Sequence, residues 1–107
     1  MKLQLTPQAL RLRLAEEDIQ KFAQAGELSC TLPLSGQGLT YTLRQLLPDA
    51  PEGLGVRYEA GAIVVEIPAA LARQLIDGTV ISLKSELAGT DGQLIRILVE
   101  KDLGPSH

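Results

Sequence analysis

Short stretches in which apolar and polar residues alternate constrain this fold more than any other feature. In "ALRLRL", residues 9–14, leucine fills every second position and arginines lie between. Because successive side chains of a strand point to opposite faces of a sheet, such alternation predicts a strand with one buried face and one solvated face. Similar alternation predicts further strands in "ELSCTLPL", "LTYTLR", "GVRYEAGAIVVEIP", "TVISLKSEL" and "QLIRILVEKD".

Two segments between these strands carry apolar residues at helical spacing instead. In "AEEDIQKFAQAG", acids fill the first turn, where the helix dipole favours them, and Gly26 is suited to the left-handed conformation that ends a helix. In "PAALARQLIDG", Pro68 suits the first helical position and Gly78 the end. The sequence therefore predicts two short amphipathic helices.

The segments that flank the two predicted helices follow the same order in the sequence. The segments "LRLRLAEEDIQKFAQAGELSCTL" and "IVVEIPAALARQLIDGTVISLKS" each read strand, helix, glycine, strand, and a further strand follows each. This indicates either two β-α-β-β pseudo-repeats, with halves 9–45 and 54–102, or a chance match, and we give both equal weight. Either way we predict an α+β protein, an antiparallel β-sandwich or partly open barrel with two short helices, because short connections favour hairpins.

The size of the chain and its hydropathy bound the remaining organisation. A chain of 107 residues is predicted to form a single domain, 1–107, and the patternless end 103–107 is predicted to fray. No stretch approaches the ~20 apolar residues of a membrane span, and Pro7 interrupts the first stretch before a signal-peptide core develops. We therefore expect a cytoplasmic protein with no membrane partner.

The charge distribution argues against a nucleic acid as partner. The formal net charge is −3, and the basic residues are spread along the chain. Phe22, Tyr41 and Tyr58 are its only aromatic residues, too few for the stacking platforms that single-stranded nucleic acid requires. We expect no nucleic-acid binding.

The residue types that commonly carry catalysis are sparse. His107 is the sole histidine, and Cys30 alternates with leucines on a predicted inner face, where we expect a small core residue and not a nucleophile. The adjacent acids Glu16, Glu17 and Asp18 point in different directions on a helix and cannot converge on Mg²⁺ or Ca²⁺. We expect no catalytic residue, metal or cofactor, and an enzyme using a carboxylate-bound metal is the least favoured alternative.

Arginines stand at outward positions of the predicted strands: Arg11, Arg13, Arg44, Arg57 and Arg96. If the strand "ALRLRL" pairs with the last strand, Arg11, Arg13 and Arg96 share one surface, where their planar forks could hold a small anionic ligand. The interpretation that we favour is that the arginines pair with acids on neighbouring strands, the candidates being Glu59, Glu66 and Glu100.

Two apolar residues interrupt the polar outer faces. Val64 and Leu98 are candidates for an apolar contact surface, unless they lie beneath a helix. Short hairpins also leave strand edges to which a partner strand can add. We therefore predict a non-enzymatic protein–protein interaction module, with a protein partner or a second copy of the chain, and the alternative is a binder of a small anion on the arginine-bearing face.

The order of these features resembles a known family. An early "RLRL", an acidic helix ending in "AGE", a "LTYTL" strand, "YEAGAIVVEIPAALA" and a closing "LVEKD" together look like a family of small bacterial proteins of unknown function. The resemblance covers most of the chain and rests on hydrophobic and turn patterns. It implies no catalytic residue that could be carried over to this sequence.

Overall fold

Each of two helices connects a pair of β-hairpins in this computed structural model, which describes residues 1–36, 38–48 and 53–103. In that part of the chain the order is β1 (Lys2–Thr6), β2 (Ala9–Leu14), α1 (Glu16–Ala25), β3 (Glu27–Leu32), β4 (Leu39–Gln45), β5 (Gly55–Glu59), β6 (Ala62–Ile67), α2 (Ala69–Asp77), β7 (Ser82–Ala88) and β8 (Leu94–Lys101). The predicted fraying of 103–107 falls, from residue 104 on, outside the described residues.

The described strands form two four-stranded sheets. Sheet A has the order β1-β2-β8-β7 and sheet B the order β3-β4-β6-β5. Their apolar faces share one core with the helices, so the predicted α+β architecture of packed sheets and two short helices is confirmed. Within the described residues neither sheet closes into a barrel.

The two central strands of each sheet run parallel to each other, whereas the sequence predicted antiparallel pairing. Consecutive strands form antiparallel hairpins, but β2 pairs with β8, and β4 with β6, in parallel. These central strands come from different halves of the chain, so no short loop dictates their relative direction. The two mixed sheets therefore depend on contacts between distant segments.

The two halves have the same element order and equivalent registers. Exchanging β1–β4 with β5–β8 converts the strand order of sheet A into that of sheet B. Leu12 faces Val99 across β2 and β8, just as Val65 faces Leu43 across β6 and β4. The repeating unit is ββαββ and not β-α-β-β, because β1 precedes the predicted first strand. Pro7, which interrupts the alternation in the sequence, lies in the turn between β1 and β2.

The core follows from strand alternation. In β2, Leu12 and Leu14 are fully buried, while Arg11 and Arg13, which alternate with them, are half-buried. Strand β6 repeats this pattern, with Val65 and Ile67 buried. Phe22 of α1 is fully buried against the same core, and the further buried hydrophobic residues are Leu10, Ile19, Leu43, Leu54, Ile63, Ala72, Leu75, Leu83, Ile97 and Val99.

Both helices end at the predicted glycines. Gly26 adopts a φ of 72° and its N–H donates to the Phe22 carbonyl at 2.7 Å, and Gly78 adopts a φ of 85°. Only glycine takes these left-handed angles without strain, so the helices stop where the sequence indicates. Of the helices in the described residues, none is long and apolar enough to cross a membrane.

Candidate functional site

The three arginines that were candidates for a ligand site, Arg11, Arg13 and Arg96, lie on the outer face of sheet A. Across β2 and β8, Ala9 lies opposite Arg96 and Arg11 opposite Leu98. Because residues two apart on a strand share a face, Arg11, Arg13 and Arg96 stand on one surface, as expected if these two strands pair. The structure therefore brings the three arginines together, with Leu98 among them.

Two of these arginines belong to an ion-pair network with acids near the end of β8. The Arg11 Nε and Nη2 atoms each lie 2.5 Å from Glu100 Oε1. Arg13 Nε lies 3.3 Å from the same oxygen, and its Nη2 lies 3.5 Å from Asp102 Oδ1. Lys2 Nζ, on β1, lies 3.3 Å from Asp102 Oδ2. Three cations thus share two carboxylates.

This network gives Arg11 and Arg13 partners within the protein. The Glu100 side chain is only 15% exposed, whereas that of Arg11 is 42% exposed. Partly exposed pairs of this kind each contribute about 0–1 kcal/mol to stability. An incoming anion would compete with Glu100 and Asp102 for the guanidinium groups.

The favoured interpretation of cross-strand ion pairs holds in part. Glu100 pairs with Arg11 and Arg13, and Glu66 pairs with Arg57 at 3.2 Å. Arg44 pairs at 2.7 Å with Glu27, which lies opposite it in the β3–β4 hairpin and was not among the candidate acids. Sequence reasoning also missed Lys2 and Asp102, since β1 was not predicted to be a strand.

Arg96 does not belong to this network and lies beside Leu98. Lys84 and Glu86 on β7 and Arg96 and Leu98 on β8 help to line a depression of about 310 Å³. Among the described residues, no ion pair within 4.0 Å involves Lys84, Glu86 or Arg96. Half-buried Leu98 thus lies among charged side chains that have no ionic partner in the described structure.

Val64 does not form a common patch with Leu98. It occupies the outer face of sheet B, where its neighbours across the sheet are Thr42 and Arg57. A second depression, of about 260 Å³, lies beside it and is lined in part by Arg44 and Arg57. Both arginines are ion-paired, so the two outward apolar residues stand in different electrostatic surroundings on different sheets.

A partly buried contact at the first residue was not predicted from the sequence. The α-ammonium of Met1 lies 2.8 Å from Asp18 Oδ2, which also accepts the Ala15 N–H at 2.9 Å. The Tyr41 hydroxyl donates to the Met1 carbonyl at 3.1 Å, and the Cys30 thiol lies 4.0 Å from that carbonyl. Only the folded chain brings these groups together, so local sequence patterns give no signal for the contact.

These surroundings change the pKa values of two side chains. Burial raises the pKa of the Asp18 carboxyl, but the bonds from the Met1 ammonium and the Ala15 N–H, with the nearby positive charge, outweigh burial and lower the pKa below its ordinary value. Burial, followed by the neighbouring Cys30, raises the pKa of the Tyr41 hydroxyl. Tyr41 is therefore a protonated donor at neutral pH, and Asp18 is an ionised acceptor.

Metal ligation finds no support in the described residues. Asp18 is occupied by the ammonium, and no group of three or more His, Cys, Asp or Glu side chains in residues 1–36, 38–48 and 53–103 is placed to hold a metal ion. Cys30 is a free, half-buried thiol in β3. His107 lies outside the described residues.

Comparison with known proteins agrees with the resemblance noted in the sequence. The model of a family of unknown function (DUF7009) matches residues 1–104. The chain belongs to this family. No curated protein matches the chain. No solved structure matches it either. Membership in DUF7009 therefore assigns no ligand or reaction, and the geometry of the described surfaces has to carry any functional argument.

The Asp18 contact predicts how stability depends on pH. A carboxyl whose pKa is lowered by folding stabilises the protein above its unfolded pKa, and that stabilisation is lost as pH falls through the folded pKa. We expect the difference in unfolding free energy between the wild type and Asp18→Asn to be constant from about pH 5 to 7 and to shrink below about pH 4. Urea denaturation over this range measures it.

Glu16→Gln is the matched control, because Glu16 is an exposed acid in the same helical turn. This variant should keep the pH profile of the wild type. A free-energy difference between wild type and Asp18→Asn that stays constant down to about pH 2.5 would contradict the assignment, since the folded and unfolded carboxyls would then titrate alike.

Proposed function

We propose that this protein is a non-enzymatic interaction module and that its contact surface is the outer face of the β7–β8 hairpin, centred on Leu98. The observation that carries the proposal is the depression around Leu98, with Lys84, Glu86 and Arg96 at its rim. Protein interfaces combine a desolvated apolar centre with a polar rim, and arginine is enriched in them. The surface around Leu98 has this composition on a small scale.

The state of the surrounding charges favours this face over the face of Val64. Around Val64, the guanidinium groups of Arg44 and Arg57 already bind Glu27 and Glu66. A partner that approached there would have to break these pairs or leave them unused. Around Leu98, a partner's charges can pair with side chains that have no ionic partner among the described residues. Complementary charges of that kind guide association and fix the register of an interface.

The chemistry of the surface defines the partner. An apolar side chain that enters the depression over Leu98 would be flanked by an acid facing Arg96 or Lys84 and by a base facing Glu86. A protein chain carries all three groups, and a second copy of this chain is one such protein. That the module is not an enzyme is part of the proposal, and it is supported by the scarcity of histidine and cysteine in the sequence.

Leu98 and Val64 provide a matched pair of positions for testing the surface. Both are half-buried outward residues of central strands, one in each sheet. A photo-crosslinking phenylalanine analogue at position 98 should give a discrete protein adduct in cells, or a crosslinked dimer of the purified chain, and the same analogue at position 64 should give neither. Leu98→Asp should weaken the binding of the crosslinked partner by about tenfold or more, as expected for a central contact residue.

Val64→Asp is the control for this loss of binding. It places the same charge at an equivalent type of position and should leave the affinity for that partner unchanged, while thermal denaturation checks that both variants fold. Equal adducts at positions 64 and 98, or none at 98, would refute the proposed surface.

A small anion over Arg11, Arg13 and Arg96 is the second candidate. Its support is the imbalance of three cations over two carboxylates, together with a depression of about 270 Å³ lined in part by Arg11 and Arg13. The ion pairs with Glu100 and Asp102 make it the weaker proposal, because a ligand has to compete with them.

Inorganic phosphate at constant ionic strength tests the second candidate. If the arginine face binds anions, phosphate should raise the melting temperature of the wild type but not that of Arg11→Gln/Arg13→Gln. The control is Arg44→Gln/Arg57→Gln, which removes two ion-paired arginines from the other sheet. An equal rise in all three proteins would eliminate a specific site on sheet A.

A further inference from the structure

Strand β7 lies at one edge of sheet A. It pairs with β8 without interruption from Ser82 to Ala88, and on its other side it has no neighbouring strand among the described residues. With 7 residues and no proline, it is the longest of the four edge strands that the structure describes. An edge of this kind presents backbone N–H and C=O groups to which another strand can add.

The hydrogen bonds at the two ends of the β7–β8 hairpin show which residues face that edge. The Lys101 N–H donates to the Ile81 carbonyl at 2.9 Å, and the Gly89 N–H donates to the Gln93 carbonyl at 2.7 Å. Antiparallel neighbours exchange hydrogen bonds at every second residue, so the odd-numbered residues from 81 to 89 direct their backbone groups toward β8. The even-numbered residues of β7, 84 and 86 among them, direct theirs toward the open edge.

The charges on β7 are arranged so that the strand complements itself. Lys84 and Glu86 are exposed, and they flank Ser85, the middle residue of the strand. When two β7 strands pair antiparallel about a two-fold axis at Ser85, Lys84 of each copy lies opposite Glu86 of the other. These two residues also direct their backbone groups toward the edge, so they exchange hydrogen bonds in the same register. On the inner face, Leu83 lies opposite Leu87, and no charge is turned toward the core.

The other described edge strands offer no such match. A two-fold pairing along the whole of β5 is centred on Arg57, so it sets two guanidinium groups of like charge against each other. Arg57 also has an ionic partner already, Glu66 at 3.2 Å. Strands β1 and β3 each carry a single charged residue, which is their first, so neither can pair opposite charges with a second copy of itself. Among these four edges, self-complementary charges occur on β7.

We propose that a second copy of the chain binds at the β7 edge and joins two four-stranded sheets into one continuous sheet of eight strands. The inference rests on the proposed function, in which the β7–β8 hairpin is the interaction surface, and it names the partner. Glu86 then lies between Arg96, opposite it on β8, and Lys84 of the second copy. The contact is made along the edge, and Leu98 lies one strand further in.

Charge reversal tests the register of the pairing. Sedimentation velocity of the purified full chain measures the dissociation constant of the dimer. Lys84→Glu and Glu86→Lys should each raise this constant by about tenfold or more, because each variant sets like charges against each other across the two-fold axis. An equimolar mixture of the two variants should form a heterodimer with a constant within about threefold of the wild-type value, because every acid of one chain then faces a lysine of the other.

Glu59→Lys is the matched control for charge reversal. Glu59 is an exposed acid on β5, an edge strand of the other sheet, and no ion pair within 4.0 Å involves it among the described residues. This variant should leave the dissociation constant unchanged. Thermal denaturation checks that every variant folds. If Glu86→Lys does not fold, the double variant Lys84→Glu/Glu86→Lys replaces the mixture, because it exchanges the two charges and should dimerise as the wild type does.

Amide hydrogen exchange distinguishes an edge contact from a contact between outer faces. The Glu86 N–H points toward the edge, so it should exchange about tenfold or more slowly in the wild-type dimer than in the monomeric Lys84→Glu variant. Leu98→Asp, which tests the outer face, should keep both the dimer and this protection. A dimer that forms through the outer face would lose both in Leu98→Asp.

Three results would overturn the inference. The first is a wild-type chain that stays monomeric at about 1 mM. The second is a dimer that is not recovered when the two reversed chains are mixed or their charges are exchanged in one chain. The third is a dimer in which the Glu86 N–H exchanges as fast as in the monomer. None of them refutes the outer face around Leu98, which the crosslinking at position 98 tests separately.

Discussion

The parallel pairing of β2 with β8, and of β4 with β6, is the interaction on which the rest of the structure depends. It joins one hairpin from each half into each sheet, so that neither half contains a complete sheet. An isolated two-stranded hairpin is at best marginally stable, and three or more strands with an apolar face are needed for independent stability. Leu12 and Val65, each buried on a central strand, lie opposite Val99 and Leu43, which belong to the other half of the chain.

The same pairing decides which outward side chains meet. At corresponding positions of the two central pairs, Arg13 lies opposite Glu100 in sheet A and Glu66 lies opposite Arg44 in sheet B, so the charges are reversed between the halves. Cross-strand neighbours of opposite charge stabilise both outer faces modestly. Around Leu98 the register likewise places Glu86 opposite Arg96, but neither of them, nor Lys84, forms an ion pair within 4.0 Å with another described residue. The proposed function rests on that difference.

Local patterns predicted much of this fold, and long-range contacts account for what they missed. Alternation located β2 through β8, and glycines 26 and 78 marked the helix ends, because these signals act within a few residues. Strand β1 was missed because Pro7 breaks the alternation where a turn lies. The parallel centres, the separation of Val64 from Leu98, and the contact between Met1 and Asp18 all require strand order, which no local pattern encodes. Of the candidate site, the sequence predicted the shared face of the three arginines, but not which of them are already paired.

The most direct test of this account is to split the chain between residues 50 and 51 and to measure the cooperative unfolding of each half, alone and mixed. If each sheet needs a hairpin from both halves, each half alone should lack a cooperative urea transition, and an equimolar mixture should regain the circular dichroism spectrum and the transition of the whole chain. This result would also support the prediction that residues 1–107 form a single domain. A half that unfolds cooperatively on its own as a monomer would contradict the account, because its sheet would then be complete without the other half.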